Sequence, residues 1–202
     1  MLLLELRGPT WLRVHSDKKA IRALGVAESF RRNDKFSALA GVVMRTDLIV
    51  DGFVFGKATV EGDDSTGQIV RMFSQLHRND VNLIMLQGCV ISLYNIVDVD
   101  ELSQKTRTPV ICLTFGESSG IERAIKYHFP DGYQKKLESY RKLGARTRLV
   151  LETGHIVFVR TCNIDESSTE KVLNQFTLQG SLPEPVRVAK LLARAQARAT
   201  AH

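Results

Sequence analysis

Two short stretches, Val81–Leu86 and Pro109–Thr114, constrain this chain more than any others, because each is almost wholly apolar. Neither alternates polar with apolar, so neither suits a strand with one face in water. Strands of this kind belong in the parallel part of a sheet that is covered by helices on both faces. Between them, Val97–Thr106 reads as the short helix that such a crossover needs. Upstream lie three strand-like segments, Ile21–Glu28, Ala38–Met44 and Leu48–Val60. The connection Arg45-Thr46-Asp47 is short enough for a hairpin, so these segments predict an antiparallel meander. Ile69, Val70, Phe73 and Leu76 then fall at i, i+1, i+4 and i+7, one face of a helix, with Asp64-Ser65-Thr66 as N-cap candidates. Helices are also expected over Ile121–Phe129, Asp131–Leu143 and Ser168–Phe176. Arg148–Glu152 and Ile156–Arg160 read as a strand pair around Thr153-Gly154-His155. Pro185 opens a last helix that runs towards Ala199. The fold class is α/β: a mixed sheet of three antiparallel strands, then parallel strands, with helices on both faces.

At 202 residues a single domain is the default, here expected over 21–202, with residues 1–20 as an N-terminal extension holding Trp11. Apolar residues make 44% and charged residues 25% of the chain, the proportions of an ordinary soluble globular protein. The formal net charge of +6 permits phosphate binding without requiring it. Cys89, Cys112 and Cys162 are widely spaced, with no Cys-x-x-Cys and no Cys/His cluster, so buried reduced thiols are expected rather than a zinc site. The apolar start Met1-Leu2-Leu3-Leu4 is broken by Glu5, too short for a signal peptide or a membrane span. A cytoplasmic protein with no membrane partner is the expectation.

Residues that carry chemistry gather at predicted strand ends. Glu28 ends the first strand and reads either as a solvated strand end or as a catalytic carboxylate. Asp63 and Asp64 precede a helix and read either as a cap and its neighbour or as ligands of a divalent cation that activates water. Tyr94 and Asn95 follow the buried strand that ends at Gln87-Gly88, where sites in such sheets usually lie. Tyr94 is suited to stacking on a base or to packing on the domain; Asn95 to a base edge or to a turn. Glu117 follows the next buried strand, as an acid of the site or as part of a helix N-cap with Ser118. Arg187, Lys190, Arg194 and Arg198 recur at helical spacing, either as a solvated basic face or as a phosphate-contacting stripe.

The chain resembles the archaeal endonuclease V-related family known as domain-of-unknown-function family ninety-nine, over roughly residues 20–197. The residues that carry this are Leu24-Gly25-Val26-Ala27-Glu28-Ser29-Phe30, Ala40–Arg45, Leu48–Phe53, Gly62-Asp63-Asp64, Gly88–Ser92 with Tyr94-Asn95, Glu117-Ser118, and Phe176-Thr177-Leu178 with Pro183-Glu184-Pro185 and Arg187. The resemblance implies a ribonuclease H-like fold. It also implies an endonuclease acting on deaminated bases such as deoxyuridine in DNA, with Mg²⁺ or Mn²⁺ as cofactor and nucleic acid as partner. Glu28, Asp63 and Asp64 become the implied catalytic and metal-binding acids, with Glu61 as an alternative to Asp63 and Asp64 at the end of the third strand, and with Tyr94, Asn95, Glu117 and Arg187 on the substrate. Endonuclease V places acids at two positions where this chain has Ala27 and Gln87. The alternative function is therefore a nucleic-acid-binding module of the same fold that does not cleave.

Overall fold

The computed structural model describes residues 21–199; the N-terminal extension and Trp11 lie outside them. One seven-stranded sheet forms the centre, in the order β3-β2-β1-β4-β7-β9-β8. The meander is β1 (Arg22–Ser29), β2 (Phe36–Arg45) and β3 (Val50–Thr59). β4 (Leu83–Gln87) and β7 (Val110–Thr114) run parallel to β1. β9 (Ile156–Cys162) and β8 (Thr147–Val150) close the far edge antiparallel. A two-residue ladder, β5 (Val90–Ile91) with β6 (Asn95–Ile96), interrupts the crossover from β4. Six helices complete the described chain: α1 (Ser65–Gln75), α2 (Val99–Thr106), α3 (Glu122–His128), α4 (Tyr133–Lys142), α5 (Glu166–Phe176) and α6 (Glu184–Ala199).

The sheet is buried on both faces, which is why its central strands do not alternate. Leu24, Val26, Ile84 and Leu86 pack with Ile69 and Met72 of α1 and Leu102 of α2. Ala23, Ala27, Leu83 and Met85 pack with Val172 and Phe176 of α5 and Val186 and Ala189 of α6. The fully buried line of α1 is Ile69 and Met72, while Val70, Phe73 and Leu76 flank it partly buried, a small rotation from the predicted face. Helix α6 lies across β1 and β2. The crossing is so close that a Cβ on Gly25 would come within 2.2 Å of the Pro185 carbonyl carbon. Any larger residue at position 25 would therefore push the N-terminus of α6 off the sheet.

The parallel strands β1, β4 and β7 all end on one edge of the sheet. The loops 30–35, 60–64, 88–98 and 115–121 emerge there together, and this is where a crevice forms in folds of this kind. The opposite edge is tied by charge. Arg22 of β1 donates to Asp51 of β3 at 2.6 Å, and Arg78 bridges Asp51 at 2.8 Å and Asp80 at 2.8 Å.

Candidate functional site

Between the ends of β1 and β4 lies a small crevice lined by Ala27, Glu28, Gln87, Gly88 and Ile91. Glu28 sits one residue before the end of β1, paired with Leu39 of β2. The strand is still regular there, so Glu28 points to the face opposite Ala27, towards α1. Its Oε2 accepts hydrogen bonds from the hydroxyls of Ser37 at 2.6 Å and Ser92 at 2.8 Å. Oε1 takes no hydrogen bond from the described residues. The register Val26↔Leu86 sets the next positions, Ala27 and Gln87, side by side on the α6 face. The two positions where the resemblance implies acids are thus neighbours here, both neutral, and Glu28 does not stand in for either on that face.

The loop after β5 has an unusual backbone. Ser92, Leu93 and Tyr94 follow one another with φ of 47°, 50° and 59°, a left-handed turn without a glycine. Each such residue costs about 1–2 kcal/mol. Such strain persists only where the surroundings over-determine it, and it concentrates at functional sites. The Ser92 hydroxyl is on Glu28, and the Ser92 carbonyl accepts from the Glu61 amide at 2.7 Å. The Tyr94 carbonyl accepts from Lys136 Nζ at 3.2 Å. The Tyr94 ring packs 5.1 Å from His128 and 5.6 Å from Phe129.

Asn95 is fully buried and spends both ends of its amide on the neighbouring loop. Its Oδ1 accepts from the Ser65 amide at 3.0 Å, and its Nδ2 donates to the Thr59 carbonyl and to Asp64 Oδ1, both at 2.8 Å. Asp64 occupies the N-cap position of α1 but makes no cap bond; Asn95 caps that helix from another loop. Asp64 also accepts from the Thr59 amide at 3.0 Å, the Thr59 hydroxyl at 3.0 Å and Gln68 at 3.4 Å. Partial burial opposes its charge, but the bonds from Asn95 and Thr59 outweigh it and hold the carboxyl below its ordinary range. Asp63 is paired with Lys136 at 2.7 Å and Lys135 at 3.2 Å. Burial again opposes the charge, and the lysines, Lys136 first, keep the carboxyl low.

Lys136 is the residue that sequence reasoning did not single out. Its side chain is only 9% exposed. It joins Asp63, the Gly62 carbonyl and the Tyr94 carbonyl, with the Phe129 ring 4.9 Å beneath it. No local pattern marks it, since its hydrogen-bond partners lie more than 40 positions away. Loop 92–95 thus meets Glu28 at one end, Asp64 at the other and, through Lys136, Asp63. Other expected residues lie apart from this group. Arg187 is on α6, on the other face of the sheet, with its guanidinium on the buried Glu184 at 2.8 Å. Glu117 is exposed in the loop after β7, which Arg146 holds through the Gly116 carbonyl at 2.9 Å.

The Mg²⁺ or Mn²⁺ implied by the resemblance needs carboxylate oxygens that converge and are free to bind it. Among the described residues no group of three or more His, Cys, Asp or Glu side chains is placed to hold a metal ion. The oxygens of Asp63 face two lysines, and those of Asp64 face Thr59, Gln68 and Asn95. The residues present do not fit a centre of three converging carboxylates, so no step is assigned to a metal ion.

The family described as endonuclease dU matches residues 19–197 of this chain. The chain belongs to that family. Among its relatives, a UPF0215 protein of Pyrobaculum calidifontis is 38% identical over 171 residues, covering 84% of this chain and 93% of the relative. A crystal structure of a protein of unknown function from Archaeoglobus fulgidus superposes with a TM-score of 0.74 at 23% identity, over 87% of this chain and 98% of that one. Endonuclease V of Ciona intestinalis, solved with a 24mer DNA containing an inosine followed by a ribo-adenosine, superposes with a TM-score of 0.58 at 13% identity, over 90% of this chain and 87% of that one. The fold of this endonuclease dU family member is thus that of endonuclease V, ribonuclease H-like, as the resemblance implied. No helix among the described residues is long and apolar enough to cross a membrane.

Proposed function

We propose that this protein is an endonuclease that acts on DNA carrying a deaminated base, deoxyuridine first among them. Its site is the crevice at the ends of β1 and β4. The observation that carries this reading is the strained loop 92–94, bonded at once to Glu28, to the amide of Glu61 and to Lys136. Backbone strain of this kind concentrates at functional sites. Glu28 has an oxygen available to orient or deprotonate water, with Ser37 and Ser92 fixing its rotamer. Lys135, three-quarters exposed beyond Asp63, supplies positive charge for a phosphate at the rim. Membership of the endonuclease dU family supports the substrate class. The test is nicking of labelled duplexes containing deoxyuridine, deoxyinosine or no lesion, in Mg²⁺, Mn²⁺ and EDTA. Nicking beside deoxyuridine and none on the lesion-free duplex is the expected result. Equal cutting of all three substrates would discard the lesion specificity.

A second reading, binding without cleavage, draws on Ala27 and Gln87, the neutral neighbours on the α6 face. Salt-sensitive binding of the deoxyuridine duplex, with no nicking under any metal condition, would favour it.

A further inference from the structure

The edge strand β3 turns an unusual surface to solvent. Val54 and Ala58 face α1 and are buried, so Phe53, Phe55 and Lys57 face the other way, onto the side of the sheet that carries α6. Their partners on β2 are Val42, Ala40 and Ala38. Helix α6 covers β1 and β2 but stops short of β3. Phe53 is left 53% exposed and Phe55 47%, and Phe36, on the same face of β2, 50%. Lys57 Nζ lies 4.6 Å from the centre of the Phe36 ring. A groove lined by Asp34, Lys35, Phe36, Lys57 and Ala197 lies at the end of this surface. Beyond it the loop between β1 and β2 exposes Arg31, Arg32 and Lys35. The one acid there, Asp34, has its carboxylate on the Arg31 amide at 2.7 Å.

We infer that this face of β2 and β3 is a stacking track for the unpaired bases of single-stranded nucleic acid. It rests on the reading of the protein as one that acts on nucleic acid, and adds a second place of contact. Three exposed phenyl rings interleaved with lysines on an open sheet match what binds such a strand: aromatic faces for bases, cations for the backbone. Alternate residues on a strand are about 6.6 Å apart, so Phe53 and Phe55 offer successive platforms. The charge is complementary to phosphate, with Arg31, Arg32, Lys35 and Lys57 against Asp34. A polyanion therefore suits this surface better than a second copy of the chain, which would bring the same cations face to face.

The test is fluorescence anisotropy of a labelled oligothymidylate of about a dozen nucleotides, at low and physiological salt. It compares the wild type with Phe53→Ala/Phe55→Ala and Lys35→Ala/Lys57→Ala, and circular dichroism checks their folding. We expect the double phenylalanine variant to bind at least roughly fivefold more weakly, and the lysine variant to show a shallower salt dependence. Phe55→Trp, made in a Trp11→Phe background, should retain binding and lose emission when the oligonucleotide is added. If the wild type binds the oligonucleotide and both alanine variants bind it equally well, the track is wrong while the proposed function stands. If the wild type binds neither the oligonucleotide nor a deoxyuridine duplex, both fall. Light scattering that shows a wild-type dimer dissociated by Phe53→Ala/Phe55→Ala would assign the face to a second copy and overturn the track.

Discussion

At the scale of single residues the molecule turns on Asn95. One buried amide caps α1, holds the end of β3 and fixes Asp64. Asn95→Ala leaves the Ser65 amide without its partner, leaves the Thr59 carbonyl only the Gly62 amide, and removes one donor from Asp64. Buried polar groups stripped of partners cost about 1–3 kcal/mol each. We therefore expect Asn95→Ala to lower unfolding free energy by roughly 2–4 kcal/mol in urea titration. A loss below about 0.5 kcal/mol, the size of an ordinary surface change, would show that the loop does not depend on it. The sequence revealed Asn95 as a residue of interest but not this role. A cap donated from 30 positions away leaves no local signature. Nor does the left-handed turn of Ser92-Leu93-Tyr94, because turns with positive φ are normally announced by Gly or Asn. Glu28 was legible as a carboxylate near a strand end. Its face was not settled until β1 proved regular through Ser29.

At the scale of elements, more was legible. The meander, the buried strands and the main helices fall where period and apolar runs set them, because packing on both faces leaves a strong trace in composition. The order of strands in the sheet was not, since it depends on pairings between distant segments. The charge cluster that ties β1, β3 and the end of α1 was equally invisible for that reason. The hydrogen bonds of Arg22, then Arg78, outweigh desolvation and lower the Asp51 carboxyl from 3.8 to about 2. A carboxyl lowered by folding stabilises the fold above its unfolded value, and that contribution is lost as pH falls through the folded value. Part of the stability should therefore disappear between pH 3.8 and about 2. Asp51→Asn should be less stable than the wild type at neutral pH, with the gap closing across that window. Thermal melts of both proteins over the acid range measure this. A gap that stays constant with pH would mean the arginines do not hold Asp51 in solution as they do in the structure.

At the scale of the whole molecule, the endonuclease V fold brings four loops to one edge of the sheet and sets Glu28, Asp64 and Lys136 around one strained turn. At the two neighbouring positions where the resemblance to endonuclease V implies acids this chain has Ala27 and Gln87, so the proposed chemistry lies on the α1 side of β1, with Glu28. The measurement that tests this most directly is the single-turnover rate of nicking at deoxyuridine by wild type and Glu28→Gln, with substrate affinity measured in parallel. Glu28→Gln keeps the size of the side chain and its acceptor oxygen for Ser37 or Ser92. The rate should fall about a hundredfold or more, with affinity little changed. A variant that nicks as fast as the wild type would contradict the assignment and place the reaction elsewhere in the protein.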